Sequence, residues 1–277
     1  MHHGGGTMPL FAGLRTVLTI HDVQYLSFPE NFSRARLSYL RKVVPRSITR
    51  ASMVSTPSEY VRQKLITEFA VSPAKVKVVR HGIDEQLGKA ATSEQDLRQR
   101  LRIENKDILF LPAVTHPHKN HKFLLQLMKT HWVDKNLVLV CAGGKGRGEV
   151  DFMREIRRLN LDDRVIRLDR VVDEDRDGLL KLAIAMVFPS LYEGFGAPVI
   201  EAMQLGTAVI SSDCAALPEV VGDAGIVLPL DLKLWANALE TLASRRDSLT
   251  AAGRVRAAHF SVSNSGNDLA QIYRAAI

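Results

Sequence analysis

Nine short runs rich in β-branched and other apolar residues recur along the chain, at 16–20, 53–55, 76–79, 108–111, 137–140, 165–168, 185–188, 207–210 and 225–228. Helical patterns lie between most of them, at 58–69, 119–129, 148–159, 173–182 and 197–205. Strands this apolar are covered on both faces, and strand–helix alternation builds a parallel sheet flanked by helices. The pattern predicts an α/β protein. With 277 residues, 46% of them hydrophobic and 24% charged, the chain has material for one or two sizeable cores, which excludes collagen-like, disordered and disulfide-scaffold classes. Its longest apolar stretches, 137–142 and 183–189, fall well short of the roughly 20 residues that a membrane-spanning helix requires.

A polar stretch at 83–92 divides the pattern. Six of the runs follow it, enough for a complete Rossmann-like sheet, whereas three precede it, so the first unit is expected to be incomplete. The tail from 231 onward contains no strand signal and reads as three helices with breaks near Arg245 and Phe260.

The net charge of +7 is unevenly placed: residues 1–85 carry 12 Lys and Arg against 6 Asp and Glu, leaving the rest of the chain close to neutral. Most of the excess lies in Arg34, Arg36, Arg41, Lys42, Arg46 and Arg50, interleaved with Leu37, Leu40, Val43, Val44 and Ile48. That spacing predicts a helix over 34–50 with one apolar and one basic side, capped by Ser33. The basic side is either a solvated face or a contact for an anionic acceptor or membrane surface. Few aromatics are interleaved, so nucleic acid is not an expected partner. Cys141 and Cys214 sit in apolar runs without a CxxC partner, and the first residues show no positive segment leading into an apolar one. Both features suit a cytoplasmic protein.

The segment richest in chemistry is Pro189-Ser-Leu-Tyr-Glu-Gly-Phe-Gly-Ala-Pro-Val-Ile-Glu-Ala-Met203. A strand ends at Phe188, a glycine-containing loop follows, and Pro198 opens a helix. Such a turn aims free backbone N–H groups and the positive helix end at whatever lies above the strand, which suits a phosphate. Gly194 and Gly196 allow a ligand close to the backbone. Glu193 and Glu201, one in the loop and one in the helix, are placed to accept hydrogen bonds from two separate sets of hydroxyls.

This string resembles glycosyltransferase family 4, whose retaining, nucleotide-sugar-dependent members carry two glutamates at the spacing of Glu193 and Glu201. Other segments fall in the family's order: Ile20-His-Asp22, Val54-Ser-Thr-Pro-Ser58, Val79-Arg-His-Gly-Ile-Asp84, Pro117-His-Lys-Asn-His121, Leu217-Pro-Glu-Val-Val-Gly-Asp-Ala-Gly225, and Phe260-Ser261 with the helix around Leu269 to Tyr273. The resemblance implies a GT-B fold of two Rossmann-like domains: 1–85 as a partial acceptor-side domain, 86–255 as the nucleotide-sugar domain, and 256–277 as a helix crossing back to the first. It implies His21 and Glu193 as catalytic residues that bind the donor sugar. Glu201 would bind the donor ribose, the backbone of Gly194, Phe195 and Gly196 would lie against sugar and diphosphate, and Lys119 would neutralise the diphosphate as a point charge. The implied reaction moves a hexose, mannose as first choice, to a glycan or lipid-linked acceptor, in envelope or exopolysaccharide synthesis, with no metal or other cofactor.

Two features depart from the family pattern. The Gly-Arg pair expected at the end of the donor domain's first strand is replaced by Pro112-Ala113, which leaves His116 or His118 as a substitute contact for phosphate. The first domain, at about 85 residues, is also roughly half the usual size. The alternative is therefore a GT-B protein that binds nucleotide-sugar without transferring it. His116, His118 and His121 match no zinc spacing, and no metal site is expected. Gly143-Gly-Lys-Gly-Arg-Gly148 fits neither a dinucleotide fingerprint nor a P-loop.

Overall fold

In the computed structural model, which describes residues 1–11 and 15–276, the chain forms two compact units. Unit 1 comprises Met1–Gly82, Tyr192–Gly196 and Phe260–Ile277, and unit 2 comprises Ile83–Leu191 and Ala197–His259.

The elements follow one another as β1 (His2–His3), β2 (Val17–Thr19), α1 (Gln24–Ser27), α2 (Arg34–Arg50), β3 (Met53–Thr56), α3 (Glu59–Phe69) and β4 (Val76–Val78). Next come α4 (Glu94–Leu101), β5 (Asp107–Pro112), α5 (His121–Thr130), β6 (Leu137–Ala142), α6 (Glu149–Arg158), β7 (Val165–Leu168), α7 (Asp173–Leu182) and β8 (Ala185–Phe188). The rest is α8 (Ala197–Gln204), β9 (Val209–Ser212), α9 (Leu217–Val221), β10 (Ile226–Leu228), α10 (Leu232–Ala236), α11 (Ala238–Ala258) and α12 (Val262–Ala275).

Unit 1 holds a parallel sheet in the order β1-β2-β3-β4. Its first strand carries no apolar run, because two histidines pair with Val17 and Leu18 through the backbone alone. His2 then links its neighbours, its Nδ1 2.7 Å from the Tyr273 hydroxyl and its Nε2 2.7 Å from Thr19 Oγ1. Helix α12 packs on this sheet through Ile272, which meets Val17 and Met53. Helix α2 buries Leu40, Val44, Ser47 and Ile48 and keeps its cations outside, with Ser33 accepting the Arg36 N–H at its start. Pro45 sits within α2, where its ring removes one backbone donor without ending the helix.

Unit 2 holds six parallel strands in the order β10-β9-β8-β5-β6-β7. The connections after β5 lead away on one side and those after β8 on the other, so the direction of winding reverses between these two strands. In open parallel sheets that reversal leaves a crevice beyond the strands' carboxyl ends. The interiors of β5, β6, β8 and β9 are almost wholly buried, which is why they read as continuous apolar runs.

Three expectations are corrected. The first sheet has four strands among the described residues, β1 being too short and too polar to leave a sequence signal. The tail helix does not break near Arg245: α11 runs unbroken through that exposed polar stretch, and the break lies at Asn237. Polarity without proline or glycine does not stop a helix. Lys119 is not α-helical either. Pro117–Lys119 forms a 3-10 turn, Asn120 takes a left-handed φ of 56°, and α5 starts at His121.

The glycine-rich loop after β6 is locked to the loop after β5. Gly146 N–H donates to Thr115 Oγ1 (2.8 Å), Gly148 N–H to the Thr115 carbonyl (2.8 Å), and Thr115 Oγ1 to Glu149 (2.5 Å). Glu149 pairs at 3.0 Å with Arg167, whose side chain is only 7% exposed and also donates to the Gly143 carbonyl. A Cβ at Gly143, where φ is +157°, would overlap the Ala113 carbonyl. Gly143→Ala is therefore expected to destabilise unit 2 by about 1–3 kcal/mol in urea unfolding, with unit 1 unaffected.

Candidate functional site

In unit 2, the loops after β5 and β8 meet at the reversal point. The Leu191 N–H donates to the His118 carbonyl at 2.7 Å, and Lys119 Nζ stands 5.2 Å from the centre of the Phe188 ring. Lys119 closes the 3-10 turn that precedes the left-handed Asn120 and the start of α5. Lys119 is thus a cation at the mouth of the crevice, at the end of the strand that precedes the glutamate motif.

The nearby histidines supply no positive charge. Burial, with Lys119 next in order, pushes His118 down to about 3, and burial with the Arg167 charge pushes His121 down to about 4. His116, stacked on His118 at 5.7 Å, is lowered by burial and by Lys119 and Arg147. These imidazoles are neutral near pH 7, so none of them replaces the charge of the missing arginine. Guanidinium groups come from elsewhere. A cavity of about 430 Å³ beside Ala113 is lined by Val114, Gly143 and Gly144 and by Arg170 and Arg176. Neither arginine drew attention in the sequence, because both lie in charged stretches that read as solvated surface.

Glu201, in α8, is partly buried, and desolvation holds its carboxyl above the usual range. Arg176 opposes that shift, and Asp177 and Asp173 add to it. Arg176 is itself held by Asp177 and Asp173, each at 2.8 Å, while Asp177 accepts the Gly88 N–H. The result is a carboxyl group in a desolvated setting under the influence of a fixed guanidinium.

In unit 1, the segment 192–196 is anchored at both ends. Tyr192, 3% exposed, accepts the Val23 N–H through its hydroxyl and packs edge-on to Phe28 and Tyr60; burial raises its pKa. Phe195 sits edge-on to His81 at 5.1 Å and against Phe260 at 5.6 Å. Ser58 connects two tasks: its Oγ accepts the Val61 N–H as the cap of α3 and donates to the Gly194 carbonyl at 2.6 Å. A Cβ on Gly194 would overlap the His21 carbonyl, so only glycine fits. Gly196 has φ of +99°, which also favours glycine.

His21 lies at the end of β2, as the sequence places it, with its Nε2 2.9 Å from the Gly4 carbonyl. Its partner leaves no local signal in the sequence: His81 stacks on it at 5.4 Å, and burial, with His21 second, lowers the His81 pKa. His81 is legible only as part of the segment Val79-Arg-His-Gly-Ile-Asp84. Unit 1 thus gathers His21, His81, Glu193, Gly194, Phe195 and Gly196, and unit 2 gathers His118, Lys119 and the end of β8, with Glu201 beside Arg176. Among the described residues, no group of three or more His, Cys, Asp and Glu side chains is arranged to hold a metal ion.

Residues 105–245 match the family described as "Glycosyl transferases group 1", and residues 2–87 match "Glycosyltransferase Family 4". The chain is 28% identical over 267 residues to the O-antigen chain mannosyltransferase B of Escherichia coli, covering 94% of this chain and 70% of that protein. It is 29% identical over 256 residues to the O-antigen chain mannosyltransferase RfbU of Salmonella typhimurium, covering 90% of this chain and 65% of that one. Among solved structures, Anabaena Alr3699/HepE in complex with UDP and glucose superposes with a TM-score of 0.79 at 24% identity, over 92% of this chain and 70% of that one.

The double use of Ser58 carries a stability prediction. Ser58→Ala removes the cap of α3 and the donor to Gly194, and is expected to cost about 1–2 kcal/mol in denaturant unfolding. Ser58→Thr, which keeps the hydroxyl, is expected to recover most of that loss.

Proposed function

The chain belongs to the group 1 glycosyl transferases, and on that premise we propose that it transfers a hexose from a nucleoside-diphosphate sugar to a hydroxyl of a glycan or lipid-linked acceptor. Mannose is the first choice, because the relatives named above are mannosyltransferases. The setting is envelope or exopolysaccharide synthesis on the cytoplasmic side of the membrane, with the basic face of α2 as the contact to that membrane. No helix is long and apolar enough to cross a bilayer among the described residues.

The observation that carries this reading is the placement of Lys119 at the reversal point of unit 2, where open α/β sheets receive phosphorylated ligands. Lys119 there meets the diphosphate, and the cavity beside Ala113, with Arg170 and Arg176, takes the nucleoside. Glu201 accepts hydrogen bonds from the ribose hydroxyls, with Arg176 keeping its charged form accessible. Glu193 accepts from sugar hydroxyls, the backbone at Gly194, Phe195 and Gly196 lines the sugar and diphosphate, and His118 adds a neutral hydrogen-bonding edge. His21 donates to the sugar once its Nε2 leaves the Gly4 carbonyl.

In the reaction the acceptor oxygen bonds to the anomeric carbon as the bond from that carbon to the diphosphate breaks. The acceptor's proton passes to the departing diphosphate oxygen on the same face, so configuration is retained without a protein nucleophile. The chain's contribution is positioning and stabilisation of charge on the leaving group, with Lys119 as the principal cation. The reaction runs without a metal ion.

Two tests follow. The pKa of Glu201 is raised, so its charged form is lost on acidification earlier than that of an ordinary glutamate. Nucleotide affinity should therefore fall as pH drops through a step above 4.5, the ordinary value for this carboxyl. Calorimetry on Glu201→Gln, compared with wild type across the same pH range, should show weaker binding at pH 7 and no such step, the ligand's own titration being common to both. Transfer or hydrolysis of the nucleotide-sugar measured with excess EDTA should proceed at the rate seen without it; a loss of most activity that Mg²⁺ or Mn²⁺ restores would refute the metal-free route.

A further inference from the structure

The segment before residue 12 divides sharply between inside and outside. Met8 is buried in the core of unit 1 and its N–H donates to Ser47 Oγ at 2.9 Å. Two residues on, Leu10 is 57% exposed and Phe11 94% exposed. Arg46 of α2 donates to the Leu10 carbonyl at 3.2 Å. The backbone of Leu10 is therefore tied to the C-terminal half of a helix whose outward residues are cationic.

That helix is unusual in charge. From Asn31 to Ser58 the chain has no Asp or Glu, while Arg34, Arg36, Arg41, Lys42, Arg46 and Arg50 all fall on α2. With Leu40, Val44 and Ile48 buried against the core, the cations occupy the opposite arc, and Lys42, Arg46 and Arg50 follow one another at one-turn spacing. Tyr39 is 44% exposed on the same arc, with the Arg36 guanidinium 5.4 Å from its ring centre. An exposed Leu-Phe pair costs free energy in water, and cations alone do not call for one.

We infer that Leu10 and Phe11 together with the cationic arc of α2 form a docking surface for an anionic lipid bilayer, with Phe11 entering the headgroup region and the cations lying along the lipid phosphates. Charge complementarity and an exposed apolar pair next to it match a surface that is anionic outside and apolar beneath. A polynucleotide offers the charge without the apolar layer. The inference rests on the proposed membrane contact of α2 and adds to it the element that inserts.

The test is sedimentation of the full-length chain with vesicles of phosphatidylglycerol and phosphatidylcholine in equal parts, and of phosphatidylcholine alone, at low and at high salt. Wild type is expected to bind the anionic vesicles and not the neutral ones. Arg34→Glu with Arg41→Glu should weaken that binding by at least about tenfold, following the roughly 1 kcal/mol that each cation contributes near such a surface. Phe11→Ser, at a position with no core contact to lose, should bind at low salt but dissociate at high salt where wild type holds, and Phe11→Trp should shift its emission to the blue on anionic vesicles. If wild type fails to prefer anionic vesicles, both the inserting element and the membrane role of α2 fall. If Phe11→Ser behaves as wild type and Phe11→Trp does not shift, the insertion falls and the electrostatic contact stands. Tight heparin binding without vesicle binding would assign the surface to a soluble polyanion instead.

Discussion

The reversal of winding between β5 and β8 is the constraint on which the rest of unit 2 depends. Parallel strands need helices to return the chain, and where successive returns run to opposite sides no helix covers the strand ends between them. The loops after β5 and β8 are left facing a crevice, and each chemical group of interest in unit 2 reaches it by a specific local device. Lys119 closes the 3-10 turn before the left-handed Asn120 and stands beside Phe188. The Thr115, Glu149 and Arg167 network fixes the loops after β5 and β6 together so tightly that glycine is required at the contact. The Asp177 and Asp173 carboxylates hold Arg176, which in turn moderates the carboxyl of Glu201. Most of these side chains are partly buried and paired.

Unit 1 uses a different device for its share of the motif. The segment 192–196 is held by two aromatic anchors and one hydroxyl, with Gly194 lying directly on the carbonyl of His21. A glycine here serves close packing of backbone on backbone, which explains its place next to Glu193 without appeal to a ligand. The stacked pair of His21 and His81 adds a second constraint on the ring that the proposed reaction needs.

Much of this was legible in the sequence, and the parts that were not share a cause. The doubly buried strands, the helix at 34–50 with its Ser33 cap, and the strand–loop–helix around Glu193 and Glu201 are all encoded by neighbours within a few residues. What depends on residues far apart in the chain left no local trace. The His2–His3 strand forms through its backbone alone, and His81 matters through a ring 60 positions away. Arg170 and Arg176 count only because the fold puts them beside Ala113. The Gly143–Gly148 loop matches no known phosphate motif, yet Gly143 is explained by contact with the Ala113 backbone, and Gly146 and Gly148 by contact with that of Thr115. The misplaced break near Arg245 has the opposite origin, since an exposed polar stretch was read as an ending where nothing in it stops a helix.

The central claim is that the crevice of unit 2 binds a nucleoside diphosphate through Lys119. It is tested most directly by calorimetric titration of the folded protein with GDP, UDP and ADP, in wild type, Lys119→Ala and His118→Ala. One of the three is expected to bind clearly more tightly than the others, with Lys119→Ala weakening it by at least about tenfold, as loss of one charge-assisted contact should, and His118→Ala, removing a neutral group, costing much less. Binding of none of them, or equal affinity in wild type and Lys119→Ala, would contradict it.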